Sequence, residues 1–307
     1  MQDANETISI KIKNFAEKKR SSFRKNANIV FELVLKSIKV QYRNSVIGAL
    51  WTVLNPLLNM IVMYLVFSFV LGYGDSPTYP LYIFCGNILF SLLRASTTQS
   101  LTSIVNNRGI LTKNKVSQFV FPVSHNISAI VNFGFSSIAL LGVMAVVSIS
   151  SGVNYFTPRL FLVLLMLPAM FLFSYGISLI LASAYVFFRD IQHFYNVFLT
   201  LWTYMTPVFW KIQLFEDKEI TGTGLFSEIL RFLKPILLAI IKGNPMTQFI
   251  DYFRYIVYSF KIPVEQGGIT FAQSFSSLGI LYLIGLAFFG VGTLVFYLTR
   301  RKFIYYI

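Results

Sequence analysis

Arg94 stands near the middle of an apolar run that extends from Tyr79 to Val105. An arginine at the centre of a hydrocarbon layer costs ~3 kcal/mol or more, so its guanidinium must reach a partner, a wet cavity or the headgroups. Three readings follow. It is a pore-facing cation, a structural ion pair or backbone clamp, or a side chain that snorkels to the lipid surface. The residues after it, ASTTQSLTS, are rich in hydroxyls and amides.

Other reactive side chains are sparse. His125 and His193 are not spaced as metal ligands. The single cysteine, Cys85, sits in an apolar run and reads as a small buried hydrophobe. There is no GxxxxGK[ST] phosphate loop, so the chain cannot bind ATP in that way. Acids at membrane depth are absent, which argues against coupling to protons or sodium through an intramembrane carboxylate. Asp251 and the cluster Glu216 to Glu219 would be the acids of an outer-face enzyme, but they read more plainly as solvated surface. Aromatic residues are abundant, with 17 Tyr and 32 Phe. Tyr64, Phe67, Tyr82, Phe90, Trp202, Tyr204 and Phe209 are candidates to line a path beside Arg94, because ring faces suit the apolar C–H patches of sugars. Each alone reads more plainly as a lipid-facing or belt residue.

The elements that must position these residues are membrane spans. The chain is 55% hydrophobic and only 12% charged, against about 25% charged in a soluble domain. A span needs about 20 apolar residues, and the long uncharged runs supply six: about 46–71, 79–105, 123–149, 160–186, 191–210 and 275–298. The expected fold is an all-α integral membrane protein. Continuous rather than alternating apolar runs exclude a membrane β-barrel. Pro56, flanked by Asn55 and Asn59, is expected to kink the first span. Gly279, Gly285, Gly290 and Gly292 permit close packing of the sixth.

The net charge of +14 is unevenly placed. The four segments expected inside (1–45, 106–121, 189–193 and 300–307) hold 17 basic and five acidic residues. The three expected outside hold eight and seven. Retention of Lys and Arg puts both termini in the cytoplasm. The charge sets topology and faces anionic lipid, so nucleic acid is not an expected partner.

Residues 1–27 form a polar tail without the features of a signal peptide. Residues 28–45 are expected to form an amphipathic interface helix: Phe31, Val34, Leu35, Ile38 and Tyr42 make one stripe, and Glu32, Lys36, Lys39 and Arg43 another. The break 106–121, NNRGILTKNKVSQFVF, is basic and cytoplasmic, and a loop of that size suits force transfer to a soluble partner. Residues 211–274 are the one sizeable outside region. The apolar core Ile236 to Ile241 is too short to span, and MTQFIDYFRYIVYSF reads as an amphipathic helix at the outer face. Two short helices are expected there, dipping partly into the membrane and returning.

Four stretches in order carry a family resemblance: KVQYRNSVIGALWTVLNP, NNRGILTKNKVSQFVFP, FFRDI and GNPMTQFIDYFR. Together they resemble the transmembrane subunit of ABC exporters for polysaccharides and polyol phosphates, the branch that exports O-antigen, capsule and teichoic acid. The likeness runs from about Ile29 to the C-terminus. It implies a six-span subunit with an N-terminal interface helix and re-entrant outer helices, in the bacterial inner or plasma membrane. It implies a second copy of the chain and two copies of a cytosolic ABC ATPase. This chain has no cofactor of its own; ATP and Mg belong to the partner. The implied substrate is a glycan or polyol-phosphate polymer on undecaprenyl pyrophosphate. Asn107, Arg108, Leu111 and Lys113 would form the main coupling contact, and Arg189 and Asp190 a smaller one. Lys39, Tyr42 and Arg43 would receive the pyrophosphate at the cytoplasmic mouth. Arg94 departs from the family's more aromatic character at ILFSLLRAS and suits an anionic polymer. Two other readings keep the topology or the location: an ABC export permease for drugs, peptides or small lipids, and a polytopic membrane glycan transferase or ligase.

Overall fold

The computed structural model describes residues 24–41, 48, 50–72, 76–113, 116–217, 224–261 and 271–306. Every regular element among these residues is helical. Helix α1 covers residues 24–41. It is followed by α2 (Leu50–Leu71), α3 (Tyr79–Leu101), α4 (Ser103–Asn106), α5 (Arg108–Lys113) and α6 (Val120–Ser151). A 3-10 turn (Pro158–Phe161) leads into α7 (Leu162–Phe187) and α8 (Ile191–Met205). The chain ends with α9 (Ile212–Asp217), α10 (Leu225–Gly243), α11 (Pro245–Val257), a 3-10 turn (Ser259–Lys261), α12 (Phe271–Thr299) and α13 (Phe303–Tyr306).

Among the described residues four stretches are long and apolar enough to cross a membrane: Leu50–Val70, Val120–Ser151, Pro158–Phe187 and Gln273–Thr299. They coincide with the first, third, fourth and sixth expected spans. Helix α3 has the length, at 23 residues, but carries Arg94 and its polar sequel. Helix α8 has only 15 residues, roughly 22 Å of helix against a hydrocarbon core of about 30 Å. It stops short of the expected position 210 because Pro207 has no N–H to give and disfavours helical backbone before it. Thr206 accordingly takes φ −100°, ψ 133°.

Helix α3 is the hub, packed by α2, α6, α7, α8 and α11. Its polar half is turned inward: Ser96, Thr97, Ser100 and Ser103 are buried in or just beyond it. Asn126 of α6 ties three helices together. Its amide donates to Ser100 Oγ at 3.2 Å and Ser178 Oγ at 3.0 Å, and its oxygen accepts from Ser174 Oγ at 2.9 Å. Tyr195 OH donates to Thr97 Oγ1 at 2.7 Å, which fixes α8 to α3. Polar groups therefore glue helices where lipid offers no hydrophobic drive between them.

Helices α7 and α12 cross at backbone contact. A Cβ at Gly176 would fall on the Phe288–Phe289 backbone, and one at Gly292 on the Gly176 carbonyl. At Gly285 it would fall 2.7 Å from the Ala169 carbonyl oxygen. Gly279 and Gly290 meet nothing within 4 Å. Helix α11 is buried on most sides, from Met246 to Val257, against α3, α7 and α12. Its sequence reads as an amphipathic helix at the outer face, and the structure packs it into the core of the chain. Helix α10 is the exposed one, with Ile229, Leu230, Phe232, Leu233, Ile236 and Ile240 uncovered. Helix α2 is the least buried of the four long apolar stretches.

Candidate functional site

The break between α3 and α6 is built from its own amides. Asn106 Nδ2 donates to Thr102 Oγ1 at 3.1 Å, and Asn107 Nδ2 to Ser103 O at 2.8 Å, so α4 ends on side-chain bonds. The Asn107 carbonyl then accepts from Ile110 N at 3.0 Å and Leu111 N at 3.2 Å, which starts α5 afresh. The family resemblance implies a coupling helix over 106–121; the helix observed is Arg108–Lys113, and residues 118–119 form a turn before α6. Arg108 and Gly109 are exposed, whereas Leu111 is half-buried. Leu111 packs on an apolar cluster made of Ile104, Tyr175, Leu179, Ala182, Val186, Phe296 and Phe303. It anchors α5 to its own bundle. The Lys113 side chain lies outside the described residues.

The Arg189–Asp190 turn sits at the same end. Both residues are exposed. The Asp190 carbonyl accepts from His193 N at 3.0 Å and Phe194 N at 3.3 Å and so begins α8. Phe187, just before the turn, lies 6.1 Å from the Phe303 ring and 5.0 Å from the Tyr306 ring. One apolar cluster thus joins α5, the end of α7, the end of α12 and α13. Lys39 is exposed near the end of α1. Gln41 accepts a 3.3 Å bond from Asn132 of α6, which holds that end of α1 to the bundle. Tyr42 and Arg43 lie outside the described residues.

The aromatic candidates divide. Phe90 and Phe209 are buried in the core of the chain. Tyr64, Phe67, Tyr82 and Trp202 are partly buried against that core, with Phe67 stacked on Phe209 at 5.9 Å and Phe90 edge-on to Trp202 at 6.2 Å. Tyr204 is 66% exposed. Arg94 is exposed on the α3 face toward α8. Its guanidinium donates to Thr203 Oγ1 at 2.8 Å and lies 5.7 Å from the Phe90 ring centroid.

A second arginine, absent from the expected site, organises the opposite end. Arg254 of α11 is 3% exposed. Its guanidinium donates to Pro207 O at 2.7 Å, Val208 O at 3.1 Å and Tyr82 O at 3.2 Å, and stacks on the Tyr82 ring at 3.4 Å. Asp251 is its ion-pair partner at 3.2 Å. Tyr79 OH donates to Phe209 O, and Tyr82 OH to Pro207 O and Trp210 O. The carbonyls of Pro207, Val208, Phe209 and Trp210, just beyond the end of α8, are therefore met by side chains of α3 or α11. Asn244 adds a cap: its Oδ1 accepts from Met246 N and Trp202 Nε1, and its amide donates to Thr206 Oγ1 at 2.8 Å. The sequence signal for this clamp was the stretch GNPMTQFIDYFR, with Asp251 and Arg254 one helical turn apart.

Comparison with known proteins places this arrangement. The family model described as ABC-2 type transporter matches residues 29–220. An O-antigen export system permease protein RfbA of Myxococcus xanthus is 28% identical over 235 residues, 76% of this chain and 82% of that protein. Two proteins of the same name from Klebsiella pneumoniae are each 25% identical. One aligns over 268 residues, 86% of this chain and 93% of its own. The other aligns over 285 residues, 91% and 96%.

Proposed function

The chain belongs to the ABC-2 type transporter family, and on that premise we propose that it carries a lipid-linked glycan from the cytoplasmic to the outer face of a bacterial inner or plasma membrane. It is an ABC permease of the O-antigen and polysaccharide export type. The working unit is two copies of this chain with two copies of a cytosolic ABC ATPase, which holds the ATP and Mg. The cargo is a polysaccharide or teichoic acid on undecaprenyl pyrophosphate. Helices α2, α3, α6, α7, α8 and α12 are the six spans, and α10 with α11 forms the outer helical hairpin. Both termini are cytoplasmic, in keeping with the retained Lys and Arg.

The observation that carries this reading is the shared apolar cluster at the basic end. Leu111 seats α5 on the same side chains that close α7 and α12, while Arg108 faces outward. A push on the exposed face of α5 is thus handed to spans that meet at Gly176 and Gly292 without side chains between them. Arg189 and Asp190 offer a second contact, and Lys39, Tyr42 and Arg43 the phosphate entry. The poorly covered helices α2 and α8 supply the faces that part between the two copies. The exposed groups of α8 include Val197, Phe198, Leu201 and Tyr204.

The test is co-purification from detergent of the tagged chain with the ABC ATPase encoded beside it, together with surface-glycan staining of cells lacking the chain. A stable complex with nucleotide turnover, and loss of surface glycan on deletion, are expected. A chain that purifies alone, with no ATPase bound, would move the weight to a membrane transferase.

A further inference from the structure

Arg94 is a cation without a counter-charge. Among the described residues the ion pairs are Lys242–Glu216 and Arg254–Asp251, both remote from it. Its one side-chain hydrogen bond, to Thr203, engages a single donor of a guanidinium that carries several. Roughly 20 Å of helix lies on either side of it along α3 and α4, which puts it far from both ends of that helical stretch. Thr203 occupies a matching height on α8.

The surroundings are built for a polar guest. Arg94, Ser91, Thr98, Gln99 and Asn196 line a groove of about 320 Å³ between α3 and α8, within the ~300–1,000 Å³ range of ligand pockets. Thr98 Oγ1 is buried there with no hydrogen-bond partner. Hydroxyls and amides add neutral donors beside the charged Arg94, and no described carboxylate competes for the site. Bidentate contact of a guanidinium with phosphate or carboxylate is among the strongest hydrogen-bonded pairs, more so away from water. The Arg254 clamp is the contrast: there the guanidinium is filled by backbone carbonyls, whereas Arg94, bonded to Thr203, lines the groove.

We infer that the groove between α3 and α8 is a mid-membrane site for an oxyanion, phosphate or carboxylate, carried by the exported substrate. The inference rests on the export reading above. The oxyanion has two sources, charged groups repeated along the polymer or the diphosphate of the lipid carrier. An uncharged glycan on its own would gain nothing from Arg94.

The permease–ATPase complex in detergent, titrated with three labelled probes, tests this. The probes are a glycerol-phosphate oligomer, a short-chain polyprenyl diphosphate and a neutral dextran oligosaccharide. The complex is expected to bind at least one anionic probe about tenfold or more tighter than dextran. Arg94→Gln should abolish that preference, and Arg94→Lys should keep most of it. Both variants are first shown to assemble with the ATPase, and Thr203→Val, which frees the guanidinium without removing it, gives a second handle that retains the preference. Preference for the oligomer assigns the oxyanion to the polymer; preference for the diphosphate alone assigns it to the carrier. Equal binding of all three probes, or an Arg94→Gln complex that still prefers anions, overturns the site. That result leaves the export reading intact, since surface glycan and ATPase assembly test it separately.

Discussion

Two arginines in apolar surroundings are handled in opposite ways, and the difference is measurable. Arg254 donates to the carbonyls of Pro207, Val208 and Tyr82, so its burial costs little and holds the irregular segment after α8 in place. Removing it takes a donor from all three, and although Pro207 O keeps the Tyr82 hydroxyl, a buried carbonyl left unpaired costs about 1–3 kcal/mol. Arg254→Met is expected to lower the melting midpoint of the purified complex by roughly 5–15 °C. Asp251 is different, because its side chain is 56% exposed. An ion pair open to solvent on one side contributes about 0–1 kcal/mol. Asp251→Asn should therefore shift the midpoint by no more than roughly 3 °C. Equal shifts for the two variants would show that the ion pair, and not the carbonyl clamp, carries the stability. The sequence marks Arg254 only as half of an i, i+3 pair. Its true partners lie 46 and 47 residues earlier in the chain, at Val208 and Pro207, and no local spacing reveals them.

Helix positions were legible where apolar length alone decides them. The four long apolar helices coincide with expected spans to within a few residues at the described ends, because a run of the right length has few alternatives in a bilayer. The helices that depart from expectation are those whose bounds depend on single residues. Pro207 ends α8 five residues early, and Asn107 splits the basic break into α4 and α5. The polarity of α3 was legible, but not that it faces inward to Asn126 and Tyr195, since that needs three helices at once. Helix α11 shows the same limit: its sequence reads as an amphipathic helix at the outer face, yet α3, α7 and α12 cover most of it. Glycine placement gives a sharp test of element packing. Gly176→Ala or Gly292→Ala forces the α7 and α12 backbones apart, at about 1–3 kcal/mol or more. Gly290→Ala, on the same helix with open space around it, should be neutral or stabilising by about 0.5–1 kcal/mol. Size-exclusion profiles of the three variants are expected to show aggregation or loss for the first two and a native peak for the third. Three native peaks of equal yield would mean that the crossing tolerates separation.

For the whole molecule, the uneven charge and the apolar cluster describe one device. Lys and Arg concentrate at the end where α5, the Arg189–Asp190 turn and α13 converge. On the proposed topology, retention of Lys and Arg puts that end in the cytoplasm, where the proposed ATPase would meet it. Within α5 the roles divide by exposure: Leu111 is turned into the bundle and Arg108 away from it. A change at Leu111 loosens the seat and should lower stability. A change at Arg108 alters the exposed face of α5, which a partner would contact. Arg108→Glu is therefore expected to leave the melting midpoint and ATPase assembly near wild type while cutting surface glycan several-fold per ATP hydrolysed. The charge reversal keeps the helix and its anchor but misaligns the contact through which a nucleotide-driven stroke would reach α7 and α12. Leu111→Ala gives the opposite pattern, with a loss of stability of about 1–3 kcal/mol for a half-buried leucine and export falling only as far as the folded complex does. Paired measurement of ATP turnover and surface glycan separates the two. If Arg108→Glu exports normally at normal turnover, α5 does not carry the stroke, and the Arg189–Asp190 turn is the contact that remains.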